Sequence, residues 1–473
     1  MAKFKAYNID QLMLLPLSVH DFIPEKHLAR LIDKVVETLY TTSIEDKYSK
    51  LGQNTYHPKI LIKLLFYGYA VGERSGRMIA KRCETDTAYM YLAQMYKPDF
   101  RTINDFRKNN IKDLSQYFVD IVRMCKELGL VTIGQINIDS TKMKANAANR
   151  RTKDRDGYQH WLKKVNNKID EILKEADNVD KEEDEMYGDR RGDELPEDIN
   201  TEEKLKKKLK EVTKKFNQDK EKINLTDPDA RFMKGGDGRI DVGYNCQAVV
   251  TDDHIIVSSE VIQDPNDRNA LELMVETTEE NIEEDVKELA ADTGYSSYEN
   301  YEYLSKKNKI GYIPDQEMNK IEKQESSKYH QDNFIYDKER DEYICPEGHR
   351  LRPYQVRRKD ESYRKWRQVI YKGMACTTCA SRALCTKQRY RTIARDDRKE
   401  LLEQMRERLK AEEGHKKYIK RLCTVEPIFG HLKHNLGYRQ FLMRGLEKVK
   451  AEFRLMCIGY NLRKMNQLLA TTG

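Results

Sequence analysis

Between residues 133 and 313 the apolar side chains change period several times, and the order of those changes leaves few folds open. Ile133, Ile136 and Ile138 follow a strand pattern that runs out at Asp139, and strand patterns return at 244–250 and 255–261. An amphipathic helix follows at 269–282, and a short apolar run at 289–292 ends on Asp292. A further helix starts near Ser297, and 310–313 is a last strand candidate. Three strands, a helix, a strand, a helix and a strand predict an α/β unit in which helices cover a mixed sheet.

Residues 158–223 interrupt that order with helical spacing. Trp161, Val165, Ile169, Ile172, Ala176 and Val179 recur in threes and fours, and a polar loop carries Gly188, Gly192 and Pro196. Leu205, Leu209, Val212 and Phe216 then resume the spacing, with Asn200 and Glu203 placed to cap the second helix. The expectation is a charged antiparallel helical hairpin inserted between the first two strands, reaching for a partner or for DNA.

Ahead of the sheet, residues 20–130 read as helices. Leu28, Leu31, Ile32, Val35, Val36 and Leu39 share one face, and Ile60, Leu61, Leu64 and Leu65 share another after His57-Pro58. Tyr69 to Arg82 joins two helical patterns through a glycine-containing turn, with Lys63 adding to the local cations. This is a candidate helix-turn-helix, with Arg77, Lys81, Arg82, Arg101 and Arg107 as candidate DNA contacts. Thr102 or Asn104 is the candidate cap of the following helix.

Charged residues make up 35% of the 473 and hydrophobic ones only 38%, so much of the chain must be solvated or face a charged partner. No run approaches the roughly 18 apolar residues that cross a bilayer, and Met-Ala-Lys-Phe-Lys lacks the apolar stretch of a signal peptide. The expectation is a soluble cytoplasmic protein with no membrane partner. The formal net charge of +7 hides an asymmetry: from Cys345 onward 31 Lys and Arg face 13 Asp and Glu, leaving residues 1–344 at −11. A basic C-terminal third suits a polyanion, because cations that displace counterions from phosphates supply most non-specific nucleic-acid affinity.

Four of the nine cysteines fall close together, in Cys345-Pro-Glu-Gly-His349, Cys376-Thr-Thr-Cys379 and Cys385. Such a set could close a tetrahedral thiolate site around a structural zinc ion; scattered free thiols are the alternative.

Three acids stand out by their surroundings: Asp139 and Asp292 at the ends of strand-like runs, and Glu426 in Val-Glu-Pro-Ile-Phe-Gly-His-Leu-Lys on a basic helix. Carboxylates gathered from such places hold hard divalent cations against a phosphodiester, and two ions roughly 3.5–4 Å apart can serve both the attacking and the leaving oxygen. In this reading Asp139 bridges two Mg2+ or Mn2+ ions, Asp292 binds one and Glu426 the other. Tyr418, Arg421 and Lys433 lie at −8, −5 and +7 from Glu426, and the +7 step puts Lys433 on its face to grip a phosphate.

Taken in series, Asp139-Ser-Thr-Lys-Met-Lys-Ala145, Asp227-Pro-Asp-Ala-Arg231, Gly243-Tyr-Asn-Cys-Gln-Ala248, Gln263 with Asp267, Ala291-Asp-Thr-Gly-Tyr-Ser-Ser297 and Val425 to Lys433 resemble a bacterial insertion-sequence transposase of the DDE class. The resemblance implies a helical N-terminal transposase domain and a ribonuclease H-like mixed sheet with helices. It further implies Asp139, Asp292 and Glu426 as the catalytic, metal-binding acids, and Lys433, Arg421 and Tyr418 as DNA-contacting neighbours. Its activity would be metal-dependent cleavage at terminal inverted repeats and strand transfer, by a homodimer paired on double-stranded DNA ends. One departure is that four residues rather than three separate Arg421 from Glu426. A catalytically inactive DNA-binding derivative and a zinc-stabilised host nuclease are the competing readings.

The domains expected are a helical region 1–130, a catalytic core at 131–157 and 224–314, and the hairpin at 158–223. A Cys-containing insertion at 315–395 and C-terminal helices at 396–473 complete the chain.

Overall fold

The computed structural model describes residues 18–48, 55–165, 202–216, 221–235, 238–318, 327–361 and 364–472. Its thirteen described strands are β1 (Gln135–Lys144), β2 (Thr152–Lys153), β3 (Ile223–Asn224), β4 (Arg231–Lys234), β5 (Ile240–Thr251), β6 (Ile256–Ile262), β7 (Glu288–Ala291), β8 (Ile310–Tyr312), β9 (Ile335–Asp337), β10 (Glu342–Ile344), β11 (Arg350–Glu361), β12 (Arg364–Gly373) and β13 (Thr392–Asp396). The main sheet runs β4-β5-β1-β7-β8 with β6 also on β5. β1, β5 and β6 pair antiparallel, whereas β1-β7 and β7-β8 are parallel and joined through helices Leu271–Ile282 and Tyr298–Lys306. This is the predicted ribonuclease H-like arrangement, with β4 as an unpredicted edge.

One expectation about β1 is corrected. The strand does not stop at Asp139 but continues through Lys144, pairing Ser140 with Gln247 and Lys144 with Gly243. The apolar alternation ends there because the next side chains serve a polar network: Lys142 Nζ donates to Ser140 Oγ and to Asp267. The twelve-residue β5 supplies the ladder regardless of side-chain polarity.

The N-terminal region is helical as predicted, with Pro58–Val71 at its centre. Pro58 opens that helix where its missing N–H costs nothing, and His57 Nδ1 accepts from Lys59 N. The helix is buried on nearly every face, because the long C-terminal helix Leu446–Thr472 packs on it, on Ile111–Glu127 and on β6. The two backbones touch at Gly459, where an added Cβ would meet the Tyr69 carbonyl carbon at 2.6 Å and Ala70 N at 2.7 Å. One apolar core therefore runs from Ile32 and Leu64 through Ile138 and Val249 to Val425 and Phe453. The cap of Phe100–Asn109 is Asp99, which accepts from Arg101 N at 2.7 Å, in place of the expected Thr102 or Asn104.

The hairpin's described parts, Arg155–Val165 and Glu202–Lys214, pack Tyr158, Trp161 and Leu162 against Leu205, Leu209, Val212 and Phe216, and β2-β3 closes their base. The apolar positions 169–179 and the cap Asn200 lie outside the described residues, as does the side chain of Glu203, whose backbone is in the second helix. A second sheet, β13-β12-β11-β10-β9, is antiparallel throughout and was not foreseen. It folds over its own small core of Phe334, Tyr343, Leu351, Tyr371 and Ile393. Among the described residues no helix is long and apolar enough to cross a membrane.

Candidate active site

The parallel register of β1 and β7 pairs Ile138 with Ala291, so the next residues, Asp139 and Asp292, are neighbours where the two strands part. Asp292 leaves the sheet and caps the following turn, accepting from Gly294 N at 2.8 Å. Asp139 stays in the ladder opposite Ala248, with Oδ1 held by Ser140 N at 2.7 Å.

Helix Glu412–Gly430 lies across this point. Lys417 pairs with Glu288 at 2.6 Å, its carbonyl accepts from Gln135, and Lys420 pairs with Asp252 at 2.6 Å. These contacts aim Arg421 inward, where its Nη1 stands 3.0 Å from Asp139 Oδ2 in an ion pair whose alignment falls short of a hydrogen bond. The guanidinium is only 5% exposed and lies over the half-buried Tyr418 ring at 5.8 Å. Arg421 thus faces the acids from inside the fold, opposing their negative charge, instead of lying on the surface.

Burial pushes the Asp139 carboxyl up to about 6; Arg421 opposes that shift and Asp292 adds to it. Burial likewise raises Asp292, with Asp267 adding to it and Arg421 and Lys142 opposing. Asp267 is the neighbour that was quoted in the sequence motif but not assigned to the site. Burial works against its ionisation, yet Lys142 at 3.1 Å and the amides of Asn245 at 2.7 Å and Gln247 at 2.8 Å outweigh it and hold its carboxyl below the usual range. Tyr295 beneath them is fully buried and donates to Gln247. Two desolvated, mutually repelling carboxylates beside a single arginine suit divalent cations.

Glu426 sits apart. It is exposed on the Arg421 helix, five residues or about 7.5 Å further along the axis, and among the described residues no hydrogen bond or ion pair holds it. Pro427 follows inside the helix, and the last turn, His431–Asn435, is π-helical. Lys433, in that turn, donates to the Lys142 carbonyl of β1 at 2.8 Å.

The N-terminal cations divide. Arg77, Lys81 and Arg82 are exposed on helix Gly76–Thr85, and Arg77 and Arg101 both lie over the Phe100 ring, at 5.1 and 5.7 Å. Arg107, expected to face DNA, is instead 1% exposed and bonds Tyr69 Oη, the Arg74 carbonyl and Asn104. Lys63 is buried too, between Asp33 and Glu37. The sequence signal for Arg107 was its place four residues after Ile103, on the buried stripe. Asp227 and Asp229 tie the C-terminal segment down, accepting from Gly445 N and Leu446 N at 3.1 Å each.

The four cysteines line one pocket with Glu347 and His349. His349 N donates to Cys345 Sγ at 3.3 Å and Arg391 N to Cys376 Sγ at 3.5 Å, the donors a thiolate would use. The thiols surround the pocket without closing on one point. Among the described residues, the His/Cys/Asp/Glu grouping with ligand atoms mutually within 4.8 Å is Glu317, His330 and Asp332. That group's charge is already met by Arg406, 3.0 Å from Asp332, and by Lys399 at 3.8 Å.

Two family models match the chain: a transposase DDE domain over residues 344–466 and the transposase domain DUF772 over 17–109. No curated protein and no solved structure matches it.

Proposed function

We propose, from the premise that the chain belongs to the insertion-sequence transposases of the DDE class, that it cuts DNA at the terminal inverted repeats of its element and joins the freed 3′ ends to target DNA in a divalent-metal-dependent reaction. The observation that carries this reading is the meeting of Asp139 and Asp292 at the parting of two parallel strands, under a buried arginine. Mg2+ or Mn2+ bound there would supply activation of the attacking oxygen and stabilisation of the leaving one.

Asp139 and Asp292 are the fixed ligands in this proposal. Asp267 is engaged by Lys142 and two amides, which leaves Glu426 as the third. Its helix is loosened next to and beyond it: Pro427 has no N–H to give the Cys423 carbonyl, and the last turn is π-helical. DNA entering beside Arg421 and Lys433 would draw those cations to phosphates, free Asp139 for metal and let Glu426 turn in. The exposed Arg77, Lys81, Arg82 and Arg101 would hold the end sequence, and pairing of two ends would bring two protomers together.

The cysteine pocket would bind one structural zinc, holding the base of the second sheet together. The test of function is excision from a plasmid carrying the gene with its native flanking DNA, in magnesium. Wild type should excise, while Asp292→Asn and Glu426→Gln should not. Excision by either variant at the wild-type rate removes that residue from the site. No excision by wild type, with DNA still bound, favours the inactive DNA-binding reading.

A further inference from the structure

The second sheet carries an arm that its own fold does not need. β10 covers β11 only at Arg350 and Leu351, and β13 covers β12 only from Gln368 to Lys372. Past Gln368, Asp397 N still donates to the Arg367 carbonyl at 3.1 Å, and from there β11 and β12 pair with each other as far as Glu361 and Arg364. Three residues from Lys359 to Glu361 project about 10 Å beyond that contact at the strand rise, with Arg357, Arg358 and Arg367 at the foot of the projection. A two-stranded ribbon has almost no core of its own and is marginal in water without a partner. Tyr354 and Val356 on it are 64% and 47% exposed.

Its charge indicates the partner. Residues 350–373 hold nine Lys and Arg against two acids. Arg350 and Arg352, at the base, are answered by Glu342. Arg357, Arg358 and Arg367 further out are exposed, and among the described residues no acid pairs with them. The register also sets Arg358 directly opposite Arg367, so two guanidinium groups share one face of the ribbon. Like charges opposed across strands destabilise a hairpin unless an anion lies between them. A two-stranded ribbon has the width that the major groove of DNA admits, with phosphates along both walls.

We propose that the β11-β12 ribbon is a DNA-binding arm, with Arg357, Arg358 and Arg367 gripping backbone phosphates. This rests on the transposase reading and adds a binding element outside both the N-terminal helices and the acidic centre. The arm's contacts carry no sequence information of their own, so they serve target DNA and element ends alike.

The test is fluorescence anisotropy of full-length protein on a random-sequence 30-base-pair duplex, in EDTA, across a KCl series. Three lost phosphate contacts lower the slope of log K against log salt by about 2.7, at about 0.9 per contact. Arg357→Ala/Arg358→Ala/Arg367→Ala should show that drop and at least tenfold weaker binding in 0.1 M KCl. The matching triple Lys variant, equally altered in shape but not in charge, should keep the slope within about 0.5 of wild type. An unchanged slope in the Ala variant overturns the arm, as does a Lys variant that loses slope equally. A change confined to self-association in sedimentation, with DNA affinity intact, overturns it in favour of a second copy on the free strand edges. Failure of wild type to bind the duplex at all would instead strike the transposase reading.

Discussion

Replacing Asp139 by Asn should make the metal-free protein more stable while removing its activity. The carboxyl is 14% exposed and burial raises it from 3.8 to about 6 despite the Arg421 contact. Below about pH 3.8 the folded and unfolded chains both hold it protonated, and it costs the fold nothing. As pH rises, the unfolded chain ionises first and the native state loses ground, until the loss is complete above about pH 6. Shifts of this size amount to about 1.6 kcal/mol at pH 5 and about 3 kcal/mol at pH 8. At about 2.1 cal/mol/K per residue the unfolding entropy of such a chain is roughly 1 kcal/mol/K, so the Tm of Asp139→Asn should exceed wild type by about 3 °C at pH 8 and by half that at pH 5. Differential scanning calorimetry in EDTA reads both. Added Mg2+ should raise wild-type Tm and leave the variant unmoved. A variant that melts below wild type at pH 8 in EDTA would refute the reasoning, because Asp139 would then be a satisfied structural acid.

Three further predictions follow from the packing. Gly459→Ala pushes a methyl into the Tyr69-Ala70 backbone and should cost about 1–3 kcal/mol, read as a lower Tm with no change in metal content. Arg107→Ala should destabilise by about 2–4 kcal/mol by emptying a buried hydrogen-bonded site, whereas Arg77→Ala/Lys81→Ala should leave Tm within 1 °C by calorimetry and weaken DNA binding in gel shift. Freshly purified, reduced protein should contain about one zinc per chain by mass spectrometry, and Cys376→Ser should carry well under half of that; a wild type free of zinc would remove the proposed site.

Reading this fold from sequence succeeded where period and punctuation agree. Leu289 to Asp292 is a short apolar run ending on an acid, and β7 ends there because Asp292 caps the next turn. It failed where tertiary contacts choose the structure. Ser140 to Lys144 shows no alternation of hydrophobicity, and only the length of β5 makes it strand. β11 and β12 were invisible because they bury only a few residues near their base, Leu351, Ile370 and Tyr371, too few to leave a period in the sequence. Charge was the other blind spot: Arg107, Lys63 and Arg421 look like surface cations until the acids, carbonyls and hydroxyls around them are assembled from distant segments. Asp267 likewise joined the site through Lys142, Asn245 and Gln247, partners from two strands that one helix or loop could not foretell.

The closure of helix Leu446–Thr472 over Pro58–Val71 and Ile111–Glu127 has a temporal side. Those early helices emerge from the ribosome with their apolar faces bare, and the segment that covers them is synthesised some 320 residues later, roughly 15–65 s at ordinary rates of elongation. A message cut short, or a reading frame lost before codon 446, therefore yields a protein unable to seal its own interior, which favours degradation over a partly working enzyme. That coupling of competence to the closing helix acts as a proofreading step on expression.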